Sequence, residues 1–547
     1  MTPEELSTAI RDALLTELGP DRAELVPEQV RVERPRSREH GDWSTNVALQ
    51  LGKRAGVPPR DLATALAERL SEVEGVERVD VAGPGFLNVT LSAASAGELA
   101  RTIVEAGAAY GRNESEAGHV INLEFISANP TGPLHVGHTR WAALGDSMRR
   151  LLAASGADVT AEYYVNDAGA QMDKFAASVL AAAKGEPTPE GGYPGEYVQD
   201  LGRALLRERP DLLELPADEE LRTAREVGYR LQLKDIHDTL EDFGVHFDVW
   251  FSEQTLHDAH AIEHAIDRLR DQGHVYEEGG ATWLRTTSFT DDKDRVLVRA
   301  DGIPTYFAAD AAYYLSKKDR GFPEKIYLLG ADHHGYIGRL KAIAACAGDD
   351  PETNIEVRIG QLVNLGGAKL SKRAGNIIEL KDLLEWIGSD AVRYSLARYP
   401  ADSPLSLEGE DLRKRTNDNP VFYVQYAHAR TCNVARLAGE DGVRREDGFD
   451  PALLADPTEA ALLAILGDFP RVVAQAARLR EPHHVARYLE DLAGRFHKWY
   501  DTCRVRPVSA DEEVTDLHRS RLWLNDATRQ VLANGLDLLG VSAPERM

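Results

Sequence analysis

Cysteine is scarce in this chain. Three thiols, Cys346, Cys432 and Cys503, are spread far apart among 547 residues. They form neither a disulfide framework nor a zinc knuckle, and they suit a reducing compartment, the cytoplasm. Positive charge is also short: Lys and Arg total 63 against 89 Asp and Glu, a formal net charge of −26. A nucleic-acid binder usually carries a basic footprint, so such a partner would have to be met by a local cluster of cations. No apolar run reaches the length that crosses a bilayer, and the opening Met1-Thr2-Pro3-Glu4-Glu5-Leu6 is acidic, unlike a signal peptide. No glycine-rich P-loop or G-x-G-x-x-G stands where a nucleotide fold would need it, which counts against ordinary kinase and dehydrogenase chemistry. Repeats and low-complexity tracts are lacking too. The length predicts two to four domains.

What is present centres on Ser127-Ala128-Asn129-Pro130-Thr131-Gly132-Pro133-Leu134-His135-Val136-Gly137-His138. The apolar run from Val120 to Ile126 reads as a buried strand leading into it. Behind it, Trp141, Leu144, Met148, Leu151 and Leu152 recur on one helical face until Gly156. A second strand is expected from Thr160 to Val165. The unit is strand, helix, strand, with two imidazoles at the helix entrance, where free N–H groups and the helix dipole suit a phosphate. Three readings compete for His135 and His138. They could cap the helix. They could bind a metal, although the Glu of H-E-x-x-H and a third ligand are missing. Or they could donate hydrogen bonds to a nucleotide's phosphates, with Gly137 leaving the backbone bare for a flat base.

Far downstream, Gly366-Gly367-Ala368-Lys369-Leu370-Ser371-Lys372-Arg373-Ala374-Gly375-Asn376 puts three cations between glycines. Alone it reads as a solvated loop. Paired with the histidine unit it reads as the other half of an ATP site, with ammonium groups that close on a triphosphate and neutralise the departing pyrophosphate.

On these two elements the chain resembles the class I aminoacyl-tRNA synthetases, and more narrowly it is similar to the bacterial arginyl-tRNA synthetases. Three further stretches carry the narrower likeness: Glu124-Phe125-Ile126-Ser127-Ala128-Asn129-Pro130-Thr131-Gly132-Pro133, Tyr164-Val165-Asn166-Asp167-Ala168-Gly169, and Gly330-Ala331-Asp332-His333-His334-Gly335-Tyr336. Leu370 and Arg373 depart from the usual second signature, which has Met and a final Ser there; both lysines remain. The resemblance implies an arginine–tRNA ligase that forms arginyl-adenylate from arginine and MgATP and passes the arginyl group to the terminal adenosine of tRNA(Arg). It implies catalysis by His135, His138, Lys369 and Lys372, with Gly137, Asp332, His333 and Ser371 also at ATP, and a first step that requires tRNA. Mg²⁺ would travel with ATP, and no tightly held protein metal is expected. Glu124, Asn129, Tyr306 and Asp310 are implied to hold the amino acid, the first two at its α-amino end and the last two at the guanidinium. A guanidinium is a fork of donors that carboxylates meet in bidentate fashion, and Asp310 lies in an apolar stretch, Thr305 to Ala311, where an acid is unexpected. Helical spacing would put Tyr306 on the same face. For Asp332-His333-His334, the strand Lys325–Leu329 before and the helix Tyr336–Cys346 after predict a place at the pocket wall; a structural role fits as well.

The expected architecture is an α/β chain in three parts. A small α+β domain over about 1–112 is implied to touch tRNA. A Rossmann-like doubly wound parallel sheet over about 113–404 is interrupted by an insertion at about 185–290. A helical bundle over about 405–547 is implied to bind the anticodon; of Phe422, Tyr423, Tyr426, Val434, Arg487, Tyr488, Leu492, Arg495, Phe496, Trp499 and Tyr500, most read as bundle core, and some exposed aromatics and arginines among them could stack on unpaired bases. In the first part a strand is expected at Gln29–Glu33. A monomer is expected, with no membrane partner. Two other readings stay open: a related adenylate-forming ligase with a small acceptor, and a synthetase-like RNA-binding protein without chemistry.

Overall fold

The computed structural model describes residues 1, 3–35, 37–289, 291–333, 335–361, 363–366, 378–509 and 511–547, and the side chains of Glu4, Arg38, Asp332 and Leu365 also lie outside the described set. The central sheet has five strands, numbered here in chain order: β1 (Val120–Phe125), β2 (Asp158–Val165), β3 (Val249–Ser252), β4 (Glu324–Gly330) and β5 (Ile355–Gly360). They are all parallel and lie in the order β3-β2-β1-β4-β5. This is the doubly wound order, and the strand sequence reverses between β1 and β4. Ligands bind such sheets in the crevice beyond the carboxyl ends of the strands at that point. β1 is buried on both faces, which is why it reads as an almost unbroken apolar run.

Helix α1 (Val136–Ala154) follows β1 and packs back on it through the predicted face: Trp141, Leu144, Met148, Leu151 and Leu152 are all buried. At Gly145 the helix lies so close to the strand that a Cβ would stand 2.3 Å from the Phe125 ring. Helix α2 (Tyr306–Asp319), capped by Thr305, covers the sheet from the other crossover.

The insertion expected over about 185–290 is not one block. Helices Glu196–Glu208 and Ala217–Asp242 pack on Ala170–Lys184 around Phe175, Val179, Leu201 and Leu205. Then β3 returns to the main sheet inside the expected insertion, pairing Tyr163 with Trp250 and Val165 with Ser252. Four residues are too short to show a period, so the pattern hid this strand. An antiparallel trio, Val275–Glu278, Ala281–Leu284 and Arg295–Val298, follows.

The amino-terminal part packs helices Pro3–Leu18, Val47–Ala55 and Pro59–Leu70 on three antiparallel strands, with Leu6, Leu14, Leu66 and Leu87 in its core. The strand expected at Gln29–Glu33 is reduced to one bridge, Glu33 to Ser44. Arg34 ties this part to the carboxyl-terminal helices. Its guanidinium lies 3.8 Å from the Trp43 ring centroid, its Nη2 donates to the Ala464 carbonyl at 3.0 Å, and its Nε meets Asp468 at 3.3 Å. Helices Pro420–Glu440, Pro457–Leu479, His483–Thr502 and Asp516–Leu538 complete the chain. Among the described residues, Pro457–Leu479 is long and apolar enough to cross a membrane, contrary to the sequence expectation; half of its most apolar window is buried, with Leu462, Leu466, Phe469 and Val473 in the bundle core.

Candidate active site

A cavity of about 790 Å³ opens at the switch point, lined from β1 by Glu124 and the segment after it, from β4 by Leu328 to Ala331, and from α1 by its first turns. His135, Gly137, His138, Asn129, Asp310 and His333 all line it, so most of the predicted residues converge.

The two histidines cap α1 as well as facing the cavity. His135 Nδ1 accepts from the Gly137 amide at 3.1 Å, and His138 Nδ1 accepts from the His135 amide at 3.3 Å. With Nδ1 spent as an acceptor, each neutral ring carries its proton on Nε2. Burial lowers the His138 pKa to about 4, with the neighbouring His135 adding to the effect, and burial lowers His135 as well. Both rings, 3.9 Å apart between centroids, are therefore neutral N–H donors at neutral pH. A Cβ on Gly137 would stand 2.8 Å from His135 Cε1. The bare backbone expected to admit a base is thus covered on that side by the His135 ring.

The segment after β1 is strained. Ile126 and Ser127 have φ of 70° and 43°, a region β-branched residues rarely enter. The bend aims Ser127 Oγ, which donates to Glu124 Oε1 at 3.1 Å and accepts from the Tyr164 amide at 3.1 Å. Glu124 Oε2 accepts from the buried Lys317 ammonium at 2.6 Å.

Asp310 faces the same cavity from α2. Among the described residues it makes no hydrogen bond or salt bridge. Burial, then the negative charges of Glu124 and Glu253, push its carboxyl up to about 7, against a smaller opposing pull from Arg339. Glu253, buried where β3 ends, is itself raised by burial. Two acids, Glu124 and Asp310, thus line one pocket with the charge of Glu253 acting on Asp310 from outside the lining, which suits a cation. Tyr306 does not join them: it is the first residue of α2, 63% exposed, and outside the cavity lining. Side chains of a helix lean toward its amino end, so a residue in the first turn projects off the helix rather than beside the one four later. Asn129 donates to Gln171 at 3.0 Å at the cavity mouth.

Asp332 and His333 form a single turn after β4; His333 is exposed and packs edge-on against Tyr336. Lys369, Leu370, Ser371, Lys372 and Arg373 lie outside the described residues, as does His334. The chain on either side of the lysines is described. Val363 lines the cavity, and beyond the lysines the backbone pairs with the histidine segment: the Val136 amide donates to Ile378 O at 3.0 Å and the Leu380 amide to Leu134 O at 2.8 Å. Among the described residues one other group could hold a metal, Glu481, His483 and His484. None of the three lines this cavity, and the group stands at a helix amino end, where the dipole opposes a cation.

Sequence reasoning missed Lys317, Glu253, Tyr313 and Tyr327. The last lines the cavity with its buried hydroxyl unpartnered among the described residues. Lys317 did carry a signal, since it stands two helical turns from Asp310, but cations in a helix's last turns are also expected from the dipole alone.

A doubly wound parallel sheet with a histidine pair at its switch point, followed by a helical bundle, defines a class I aminoacyl-tRNA synthetase. The family described as "tRNA synthetases class I (R), catalytic domain" matches residues 100–190 and 214–396, "Arginyl tRNA synthetase N terminal domain" matches 4–91, and "DALR anticodon binding domain" matches 424–547. The chain is 66% identical over 551 residues to an arginine–tRNA ligase of Renibacterium salmoninarum and 65% identical over 555 residues to one of Pseudarthrobacter chlorophenolicus, covering 100% of each chain. The solved arginyl-tRNA synthetase of Thermus thermophilus superposes with a TM-score of 0.75 at 26% identity, over 100% of both chains. The chain belongs to the arginyl-tRNA synthetase family: it is an arginine–tRNA ligase, and its ligation uses ATP.

Proposed function

We propose that the cavity holds arginine and ATP side by side, with the guanidinium against Asp310 and Glu124 and the triphosphate at the amino end of α1. The observation that carries this reading is the pairing of an acid cluster and two neutral imidazoles in one crevice. Arginine's carboxylate oxygen attacks the α-phosphorus; the bond to the bridging oxygen breaks and pyrophosphate leaves. His135 and His138 donate Nε2–H bonds to the phosphate as charge moves. Lys369 and Lys372, carried between two segments that flank the cavity, neutralise the pyrophosphate, and Gly137, Ser371, Asp332 and His333 complete the ATP side. Mg²⁺ arrives with ATP, held by phosphates and water. The 2′-hydroxyl of the tRNA's terminal adenosine then attacks the arginyl carbonyl carbon and AMP leaves. No protein nucleophile is required, so positioning and charge stabilisation carry the rate.

Asn129 takes the α-amino end. Glu124 moves from that role to the guanidinium, because its charge acts directly on Asp310. Tyr306 reaches arginine only if the turn before α2 folds inward over the bound substrate.

The anticodon is read on the carboxyl-terminal helices. A cavity of about 910 Å³ is lined by Tyr426, Arg430, Asn433, Arg436, Tyr500 and the terminal Arg546 and Met547. Arg430 lies 4.7 Å from the Tyr426 ring centroid and 4.8 Å from that of Tyr500. Tyr488, Phe496 and Trp499 are buried core instead. The division at about 1–112, 113–404 and 405–547 gives tRNA a contact on each part. We take the enzyme to act as a monomer in the cytoplasm. Arginine-dependent exchange of pyrophosphate into ATP, measured with and without tRNA(Arg), tests this reading. Exchange only with tRNA supports it; exchange that needs a small acceptor, or none under any condition, overturns it.

A further inference from the structure

We propose that Lys317 is a positioning residue for the amino-acid substrate: from the closed side of the cavity it fixes Glu124, so that the carboxylate's remaining edge meets the guanidinium. This rests on the reading of the cavity given above. Strand registers place Val357, Tyr327, Glu124, Glu162 and Val249 in one row across β5, β4, β1, β2 and β3. Directly paired residues of parallel strands share a face, so two acids stand side by side beneath α2. Above them, Asp310, Tyr313, Lys317 and Arg320 recur at helical spacing on one stripe.

The two acids have different capacity left. Glu162 is fully buried and saturated: Arg320 meets both its oxygens at 2.6 and 2.9 Å, Tyr313 Oη donates at 2.5 Å and Asn122 at 2.9 Å. It does not line the cavity. Glu124 receives one cation on Oε2 and one hydroxyl on Oε1, and it does line the cavity. A carboxylate offers about four acceptor positions, so about half remain for a ligand. Lys317 cannot itself turn to the substrate. Its side chain is 0% exposed, and its ammonium lies 4.5 and 4.1 Å from the Tyr313 and Tyr327 ring centroids.

The same lysine sets the charge the substrate meets. Lys317 pairs with Glu124, whereas Asp310 has no salt-bridge partner among the described residues and is open to the positive charge of a guanidinium. Without Lys317 the Glu124 carboxylate would lose its fixed edge and add a second uncompensated charge.

Lys317→Met removes both the donor and the charge; Lys317→Gln keeps an N–H donor for Glu124. Pyrophosphate exchange in the presence of tRNA should show KM for arginine raised about 100-fold in the first and about 10-fold in the second, on the scale of a lost charge-assisted hydrogen bond. KM for ATP and kcat should stay within about threefold of the unmodified enzyme on the same basis. If only one variant folds, the split between its two KM values decides. Arginine and ATP constants that move together, or an arginine KM that does not move, overturn the proposal. Asp310→Asn is measured alongside. If it weakens arginine while the Lys317 variants do not, the role of Lys317 falls and the cavity reading stands; if it leaves arginine binding intact, the cavity reading falls and this proposal falls with it.

Discussion

Asp310 is the residue on which recognition and stability pull in opposite directions. Burial, with Glu124 and Glu253 nearby, pushes its carboxyl up to about 7, against 3.8 as its ordinary value. A guanidinium pairs with the ionised form, so arginine must displace a proton at lower pH. KM for arginine should fall as pH rises from about 6 to 8, and Asp310→Asn should flatten that profile while weakening arginine far more than ATP. The sign for stability is reversed. The folded state holds the proton over a range where the unfolded state has released it, so this group costs stability increasingly as pH rises from about 4 to 7. Thermal melts of ligand-free Asp310→Asn should therefore run above the unmodified enzyme at pH 8 and match it near pH 4; a lower melting point at pH 8 would contradict the assignment. Asp310 was legible as an acid out of place in apolar sequence, and Glu124 by its position in the strand before the histidines and by the family resemblance. Lys317 was not, because a lysine near a helix end is ordinary, and only the strand register reveals what it meets.

At the scale of elements, the amino end of α1 does two jobs with the same atoms. Its histidines satisfy the helix's free amides through Nδ1 and so leave Nε2–H for phosphate. Gly137 makes this possible, since any side chain there meets the His135 ring. Gly137→Ala should lower kcat for adenylate formation by about 10-fold or more, the scale of a misplaced transition-state donor. The melting temperature should change little, because alanine favours a helix. A large loss of stability with normal kcat would show that the ring yields freely. Long periodic elements were readable from pattern: the bounds of Tyr336–Cys346 match the expected ones, and the apolar face read after His138 lies on α1. β3 was not, being four residues whose place is set by its neighbour β2 rather than by its own sequence. The expected Gln29–Glu33 strand lost out for a similar reason: a suitable sequence found a single bridge instead of a ladder.

At the scale of the molecule, a chain of net charge −26 binds an anionic polymer. A local group of cations lies on the carboxyl-terminal part, where Arg413, Lys414, Arg415 and Arg546 line one cavity and Arg430, Arg436 and Arg546 the next. The acidic remainder would repel RNA placed in any other register. Arg430→Ala should raise KM for tRNA(Arg) about 10-fold, the scale of one lost stacking contact, and leave the KM values for arginine and ATP unchanged. Equal losses for all three substrates would mark a folding defect. The net charge gave no hint of this surface, because a sum over the chain erases the pattern that matters.

The central claim is that imidazoles 135 and 138 and the amines of 369 and 372 meet one polyphosphate while Glu124 and Asp310 meet one guanidinium. A crystal structure with arginine and a non-hydrolysable ATP analogue tests it most directly. The account predicts phosphate oxygens within hydrogen-bond reach, about 3.2 Å, of both Nε2 atoms and of at least one lysine Nζ, with the guanidinium between the two carboxylates. Phosphates bound away from the amino end of α1, or a guanidinium that touches neither acid, would contradict it.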